Sequence, residues 1–86
     1  MNSSVTRSFR ELFARLPSDV QDTARKNFEL WRRDPWHPSL HFKKVGGRWS
    51  VRIGRDYRAV GLLTRGTLYW YWIGPHDAYD RLVASL

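Results

Sequence analysis

Residues 40–75 read L-H-F-K-K-V-G-G-R-W-S-V-R-I-G-R-D-Y-R-A-V-G-L-L-T-R-G-T-L-Y-W-Y-W-I-G-P, and this stretch decides the fold. Four short runs rich in β-branched, aromatic and aliphatic residues are separated by Gly46-Gly47, by Gly54-Arg55-Asp56 and by Arg65-Gly66. Runs of this length between such turn residues predict strands joined by tight hairpins. Side chains alternate across a strand, so Trp49, Val51 and Ile53 share one face of the second run and Ser50 and Arg52 take the other. In the third run Tyr57, Ala59, Gly61 and Leu63 alternate with Arg58, Val60 and Leu62. The fourth run, Leu68 to Ile73, is apolar or aromatic throughout, which predicts a central strand covered on both faces. Its orientation cannot be read from periodicity.

The same stretch holds Lys43, Lys44, Arg48, Arg52, Arg55, Arg58 and Arg65 against a single acid, Asp56. Seven minus one gives +6, nearly all of the +7 carried by the whole chain. Charge clustered in this way favours a polyanion or an acidic protein as partner over a neutral metabolite.

Upstream, Ser3 or Ser4 is expected to cap a first helix in which Val5, Phe9, Leu12, Phe13 and Leu16 form an apolar stripe, and Pro17 stops it. Ser18-Asp19-Val20-Gln21 has the form of a capping box, with Ser18 as cap and Gln21 three residues on. The second helix places Val20, Ala24, Phe28 and Trp31 on one side and ends at Asp34-Pro35, because a residue before proline is disfavoured in helical geometry. The short link at Pro17 implies two antiparallel helices packed together. Trp36-His37-Pro38-Ser39 is a stiff connector into the sheet, and His76 to Val83 reads as a final turn and short helix. The expected architecture is α+β: one domain over residues 1–86, with an N-terminal helical hairpin packed on a small antiparallel β-sheet and a short C-terminal helix.

A chain of 86 residues buries a modest core, and five Trp, four Tyr and four Phe enlarge it. Most of the tryptophans, Trp36, Trp49, Trp70 and Trp72 among them, are expected in that core rather than as base-stacking platforms. There is no cysteine, hence no disulfide framework. His37, His41 and His76 show no metal-ligand spacing, and no glycine-rich phosphate loop precedes a helix, so neither a metal nor another cofactor is expected. No apolar run reaches the length of a membrane span, and Met1-Asn2-Ser3-Ser4 lacks the apolar core of a signal peptide. The expectation is a cytoplasmic protein without a membrane partner.

If the helical hairpin covers the Trp49/Val51/Ile53 face, Arg52 and Arg58 point together from the opposite, open face, close to His76 and Tyr79 at the sheet's rim. Cutting RNA without a metal needs a group to take the 2′-hydroxyl proton, positive donors to hold the crowded phosphorus, and an acid for the leaving oxygen. Arginine's planar fork suits the second task and histidine the first or third. Tyrosine can stack on a base or relay a proton. Arg52, Arg58, His76 and Tyr79 are therefore the candidate catalytic set, with Lys43, Lys44, Arg48 and Arg55 as RNA-binding charges. The plainer alternatives are solvated strand arginines, a helix-capping His76 and a packing Tyr79.

The chain resembles the RelE/ParE superfamily of bacterial type II toxin–antitoxin toxins over nearly its whole length. The likeness rests on the helical hairpin, Asp34-Pro35 with His37-Pro38-Ser39-Leu40, Phe42-Lys43-Lys44-Val45, Ser50-Val51-Arg52-Ile53-Gly54, Tyr57-Arg58-Ala59-Val60-Gly61 and Trp72-Ile73-Gly74-Pro75-His76-Asp77-Ala78-Tyr79-Asp80. It implies a compact sheet with two N-terminal helices on one side. It further implies a metal-independent, ribosome-dependent mRNA endonuclease, in which Arg52 and Arg58 fall at basic strand positions, His76 in the turn after the last strand and Tyr79 near a recurrent tyrosine. Ser50 stands where some of these nucleases have a second lysine. The implied partners are a cognate antitoxin, which covers the basic face, and mRNA on the ribosome. ParE-like relatives share the fold but inhibit DNA gyrase without cutting RNA, and a plain nucleic-acid-binding module is the third reading; a fold does not choose among them.

Overall fold

A computed structural model describes every residue from Met1 to Leu86. In chain order it has β1 (Asn2–Val5), α1 (Arg7–Ala14), α2 (Ser18–Arg33), a short 3-10 turn (Pro38–Leu40), β2 (Lys43–Val45), β3 (Arg48–Ile53), β4 (Tyr57–Thr64), β5 (Thr67–Pro75) and α3 (His76–Ala84). The helical hairpin, the four-strand meander and the C-terminal helix all fall where the sequence places them. The turns at Gly46-Gly47 and Arg65-Gly66 have both residues at positive φ, the backbone that matches the twist of a two-residue hairpin.

The sheet has one strand more than the sequence suggests. Its order is β1-β5-β4-β3-β2, with β1 parallel to β5 and every other pair antiparallel. Val5 therefore closes a strand, in register with Trp70, and does not open a helix. The helix cap is Thr6, whose Oγ1 accepts from the Phe9 amide at 3.2 Å, and Ser3 and Ser4 lie in the strand. The meander alone would leave β5 with a bare edge; β1 covers it. Consequently β4 is the middle strand, and β5, expected there, is its neighbour.

β5 also breaks the strand alternation. Val60 pairs with Trp72 and Gly61 with Trp70, so Tyr71 is an extra residue, a β-bulge. Trp70 and Ile73, three positions apart, thereby share the helix-covered face, while Trp72 joins Ser50 and Val60 on the other.

The capping box at Ser18 does not form. Helix α2 starts at Ser18 behind Pro17 with no side-chain cap. Gln21 Nε2 instead donates to the Phe13 carbonyl at 2.9 Å. The Phe13 carbonyl, which also accepts from the Leu16 amide at 3.1 Å, is an acceptor at the helix C-terminus, and the bond to it ties α2 to α1. Between the hairpin and the sheet lies an aromatic core in which Trp31 packs edge-to-face on Trp70 (5.5 Å, 81°) and on Phe42 (5.7 Å, 79°). Asn27 Nδ2 donates to the Arg52 carbonyl at 3.0 Å, fixing α2 against the end of β3. No helix is long and apolar enough to cross a membrane.

Candidate nucleic-acid interface

The face of the sheet turned away from α1 and α2 is built row by row from the register. Arg52 pairs with Arg58, and Arg58 with Gly74. The next row is Ser50, Val60 and Trp72. The two guanidiniums are thus direct cross-strand neighbours, an arrangement that destabilises a sheet unless something else uses the charge. Neither is within ion-pairing distance of a carboxylate; the chain's salt bridges are Arg7–Glu11, Arg25–Asp22, Arg32–Glu29 and His76–Asp80. Backbone carbonyls hold the two side chains in place. Arg52 Nε donates to the Gly54 carbonyl at 2.9 Å, and Arg58 Nη1 donates to the Tyr57 carbonyl at 2.8 Å and more weakly to that of Arg55 at 3.4 Å. Burial holds the Arg58 guanidinium below its ordinary range of proton affinity, the charge of Arg52 adds to the effect, and Tyr79, Asp80 and Asp56 oppose it.

This face is not open across its whole width, as the residue pattern suggests. Helix α3 leaves the end of β5 and crosses the centre of the face, and Leu86, just past it, rests against Gly46, where an added Cβ would sit 2.9 Å from Leu86 Cβ. Tyr79 is 8 % exposed, and its hydroxyl donates to Ser50 Oγ at 3.0 Å. Ser50 occupies the floor under this tyrosine and is itself buried. Tyr79 therefore presents neither a ring nor a hydroxyl to solvent; it pins the helix. Arg52 and Arg58 stay half-buried at the margin that α3 leaves uncovered.

His76 opens α3 at that margin. Its amide donates to the Asp56 carbonyl at 2.8 Å, and its Nδ1 lies 3.1 Å from Asp80 Oδ2. With Nδ1 held by the carboxylate, Nε2 is the ring nitrogen outside this contact. Beside it the Trp72 indole folds over Gly74, where a Cβ would lie 2.7 Å from Trp72 Cζ2. Any larger residue there would have to displace the indole. The row thus runs from Arg52 through Arg58 to the Trp72 ring. Trp72 and Asp80 are the members that strand periodicity and charge do not single out, and the signals for them are the bulge at Tyr71 and the i,i+4 spacing of His76 and Asp80.

Lys43 and Lys44 separate. Lys43 pairs with Ser50 and stands on the Arg52/Arg58 side, whereas Lys44 pairs with Trp49 and stands on the helix side. Arg48 stands on the Arg52 side next to the Gly46-Gly47 turn, and Arg55 is exposed in the turn before Asp56. The largest concavity, about 800 Å³, lies elsewhere, between β1 and the helices, against Phe13, Phe28, Trp31 and Trp70. Its arginines, Arg25 and Arg32, are already paired with Asp22 and Glu29. Its arginine charges are thus met by carboxylates, unlike those of Arg52 and Arg58. No three His, Cys, Asp or Glu side chains gather in a metal-binding group.

A family model described as a ParE-like toxin domain matches residues 18–81. The chain belongs to that family. The solved structures agree in fold. The RelB–RelE antitoxin–toxin complex of Methanococcus jannaschii matches with a TM-score of 0.69 at 15 % identity, covering 90 % of this chain and 95 % of that one. YafQ of E. coli matches with a TM-score of 0.72 at 12 % identity, covering 91 % and 96 %. The YoeB/ParE toxin of Agrobacterium tumefaciens gives 0.67 at 18 %, covering 88 % and 99 %. A comparison with curated proteins finds no significant sequence match. The domain is a toxin domain of the RelE/ParE type, and the matched coverage shows that it spans nearly the full length of these relatives.

Proposed function

We propose that this toxin cuts mRNA on the ribosome by attack of a ribose 2′-hydroxyl on the adjacent phosphodiester, and that a cognate antitoxin holds it inactive. One observation carries the reading: two guanidiniums directly opposed across β3 and β4, with no carboxylate within ion-pairing distance of either. Such a pair is costly in the free protein and matches the two non-bridging oxygens of a phosphate.

In the reaction the 2′-oxygen loses its proton and bonds to phosphorus. The bond to the 5′-oxygen breaks, and that oxygen takes up a proton, leaving a 2′,3′-cyclic phosphate and a 5′-hydroxyl. Arg52 and Arg58 stabilise the extra negative charge on the phosphorane. His76 transfers a proton through Nε2, with Asp80 holding its orientation. Tyr79 acts at one remove, by docking α3 on Ser50 so that His76 stands beside the arginines. Lys43, Arg48 and Arg55 supply long-range attraction to RNA. The site is a shallow margin rather than a pocket, which suits a polymer presented by a larger particle.

The antitoxin reading is supported by the family and by the RelB–RelE complexes among the structural neighbours. Leu62 and its cross-strand partner Tyr69, both exposed near the β4–β5 turn at the far end of β4 from Arg58, form an apolar area that a partner would bury.

A second reading has its own support. The matching family model is the ParE-like one, and Tyr79 is buried. Under it the chain inhibits DNA gyrase without cutting RNA. Induced expression with mapping of mRNA ends separates the two. Cut mRNA that disappears with Arg58→Ala and His76→Ala, both still folded, supports the nuclease. Intact mRNA with a DNA-damage response supports the gyrase inhibitor, and cutting unchanged in both variants refutes the roles of Arg58 and His76.

A further inference from the structure

Trp36 is the most exposed of the large apolar side chains, at 62 %, although the sequence places it in the core. Its exposure does not come from a loose loop. The Asp34 carbonyl accepts from the His37 amide at 3.1 Å, closing a turn with Pro35 and Trp36 at its centre. His37 Nδ1 accepts from the Ser39 amide at 3.2 Å, Pro38 starts the 3-10 turn, and Leu40 is fully buried beneath it. One side of the Trp36 indole packs against Phe42 (5.0 Å between ring centroids) and Trp49 (6.1 Å). The rest faces solvent. A rigid aromatic ring, held from below, binds a flat partner with little loss of conformational freedom.

The surrounding charge selects the partner. Lys44 pairs with Trp49, so it leaves β2 on the face that Trp36 caps. Arg33 ends α2 three residues before Trp36, and neither cation is in a salt bridge. Asp34 is the only acid between residues 30 and 55. This surface lies on the helix side of the sheet, away from the Arg52/Arg58 margin.

We infer that Trp36 and Lys44 form a second RNA contact, in which the indole stacks on an unpaired base and Lys44 meets its phosphate. The contact needs no cutting, although counting it as the second rests on the proposed RNA-binding role of the Arg52/Arg58 margin. It gives the toxin a second grip on single-stranded RNA, opposite the first.

The test is the affinity of the purified full chain for a fluorescent 2′-O-methyl oligoribonucleotide of about twelve nucleotides, a length suited to small single-strand binders. The methyl group blocks 2′-hydroxyl attack, so binding is read without cleavage. Trp36→Ala should weaken binding by about 5- to 150-fold, the range for losing one stacked base, with an unchanged salt slope. Trp36→Phe should restore most of the loss. Lys44→Gln should lower the slope of log affinity against log salt by about 0.7, the contribution of one phosphate contact. Inorganic polyphosphate, which has charge but no bases, should bind wild type and Trp36→Ala alike. The inference is overturned if the wild type does not bind the oligonucleotide. Equal binding by Trp36→Ala, or an equal loss of polyphosphate binding, overturns it as well. Circular dichroism of each variant separates these outcomes from misfolding. Arg58→Ala, assayed in parallel, should weaken binding without removing the effect of Trp36, so failure at one site is not mistaken for failure at the other.

Discussion

Along β3 and β4, neighbouring residues go to opposite faces and meet different physics. Val51, Ile53 and Ala59 are no more than 1 % exposed, sealed under two helices and an aromatic cluster centred on Trp31 and Trp70. Arg52 and Arg58, one position away in each strand, stand on the face that only α3 crosses, and they stay partly exposed and unpaired. The helix layer shows the opposite treatment of charge: Arg7, Arg25 and Arg32 each sit three or four residues from an acid and pair with it. One side of the molecule thus carries stability, with three of its arginines paired to acids on their own helix. The other carries charge that the fold leaves uncancelled, and the function is assigned to that side.

The comparison can be broken first at its stable side. Trp31→Ala should cost about 3–5 kcal/mol, since it empties the centre of the core. Small domains have only about 5–15 kcal/mol in total, so the denaturant midpoint should fall steeply. Arg58→Ala should leave that midpoint in place. If the arginine variant unfolds as readily as the tryptophan one, the division between the faces is false.

Next in size is the charged side. Arg58→Ala or Arg52→Ala should reduce RNA cutting by about 10²–10³-fold, as expected for losing a donor to a developing oxyanion. Stability should hold or rise, because separating two like charges across a strand pair recovers about 0.2–1 kcal/mol. The Arg58 shift gives the sign of any pH effect. Its proton affinity is lower in the folded than in the unfolded chain, so stability linked to this group rises with pH, and only in the alkaline range where a guanidinium titrates. From about pH 5 to about pH 9 both states are charged and this group adds no slope. The repulsion should instead yield to anions: inorganic phosphate should raise the melting temperature of the wild type and not that of Arg58→Gln.

A smaller effect tests how the row is assembled. Gly74→Ala places a methyl 2.7 Å from the Trp72 ring, and the indole must move. The expected cost is about 1–3 kcal/mol, with a displaced Trp72 signal in fluorescence or NMR spectra. The least effect is expected in the helix layer, where Arg25→Ala and Arg32→Ala remove exposed pairs and should change stability by under about 0.5 kcal/mol and cutting not at all. A large loss of cutting in either would move the active surface to the other side of the sheet.

Much of this division is legible in the residues. The alternation of Val51 with Arg52 and of Arg58 with Ala59 states which side chains share a face, because strand periodicity is geometric. Three features escape that logic. Asn2-Ser3-Ser4-Val5 has no apolar alternation, and it becomes a strand because β5 offers an open edge. The bulge at Tyr71 shifts the phase of β5 midway, so no single period places both Trp70 and Ile73. The path of α3 across the sheet is set by contacts distant in the chain: Tyr79 to Ser50, twenty-nine residues apart, His76 to Asp56 and Leu86 to Gly46. That path, rather than any local preference, turns Tyr79 from a surface group into an anchor.

The chemistry proposed for Arg52 and Arg58 has a direct signature in the termini it would leave. Attack by a 2′-hydroxyl yields a 5′-hydroxyl on the downstream fragment and a 2′,3′-cyclic phosphate on the upstream one. After brief induction, fragment ends should require phosphorylation before they ligate, and they should vanish with Arg58→Ala. Ends bearing a 5′-phosphate, or intact mRNA in arrested cells, would contradict the account.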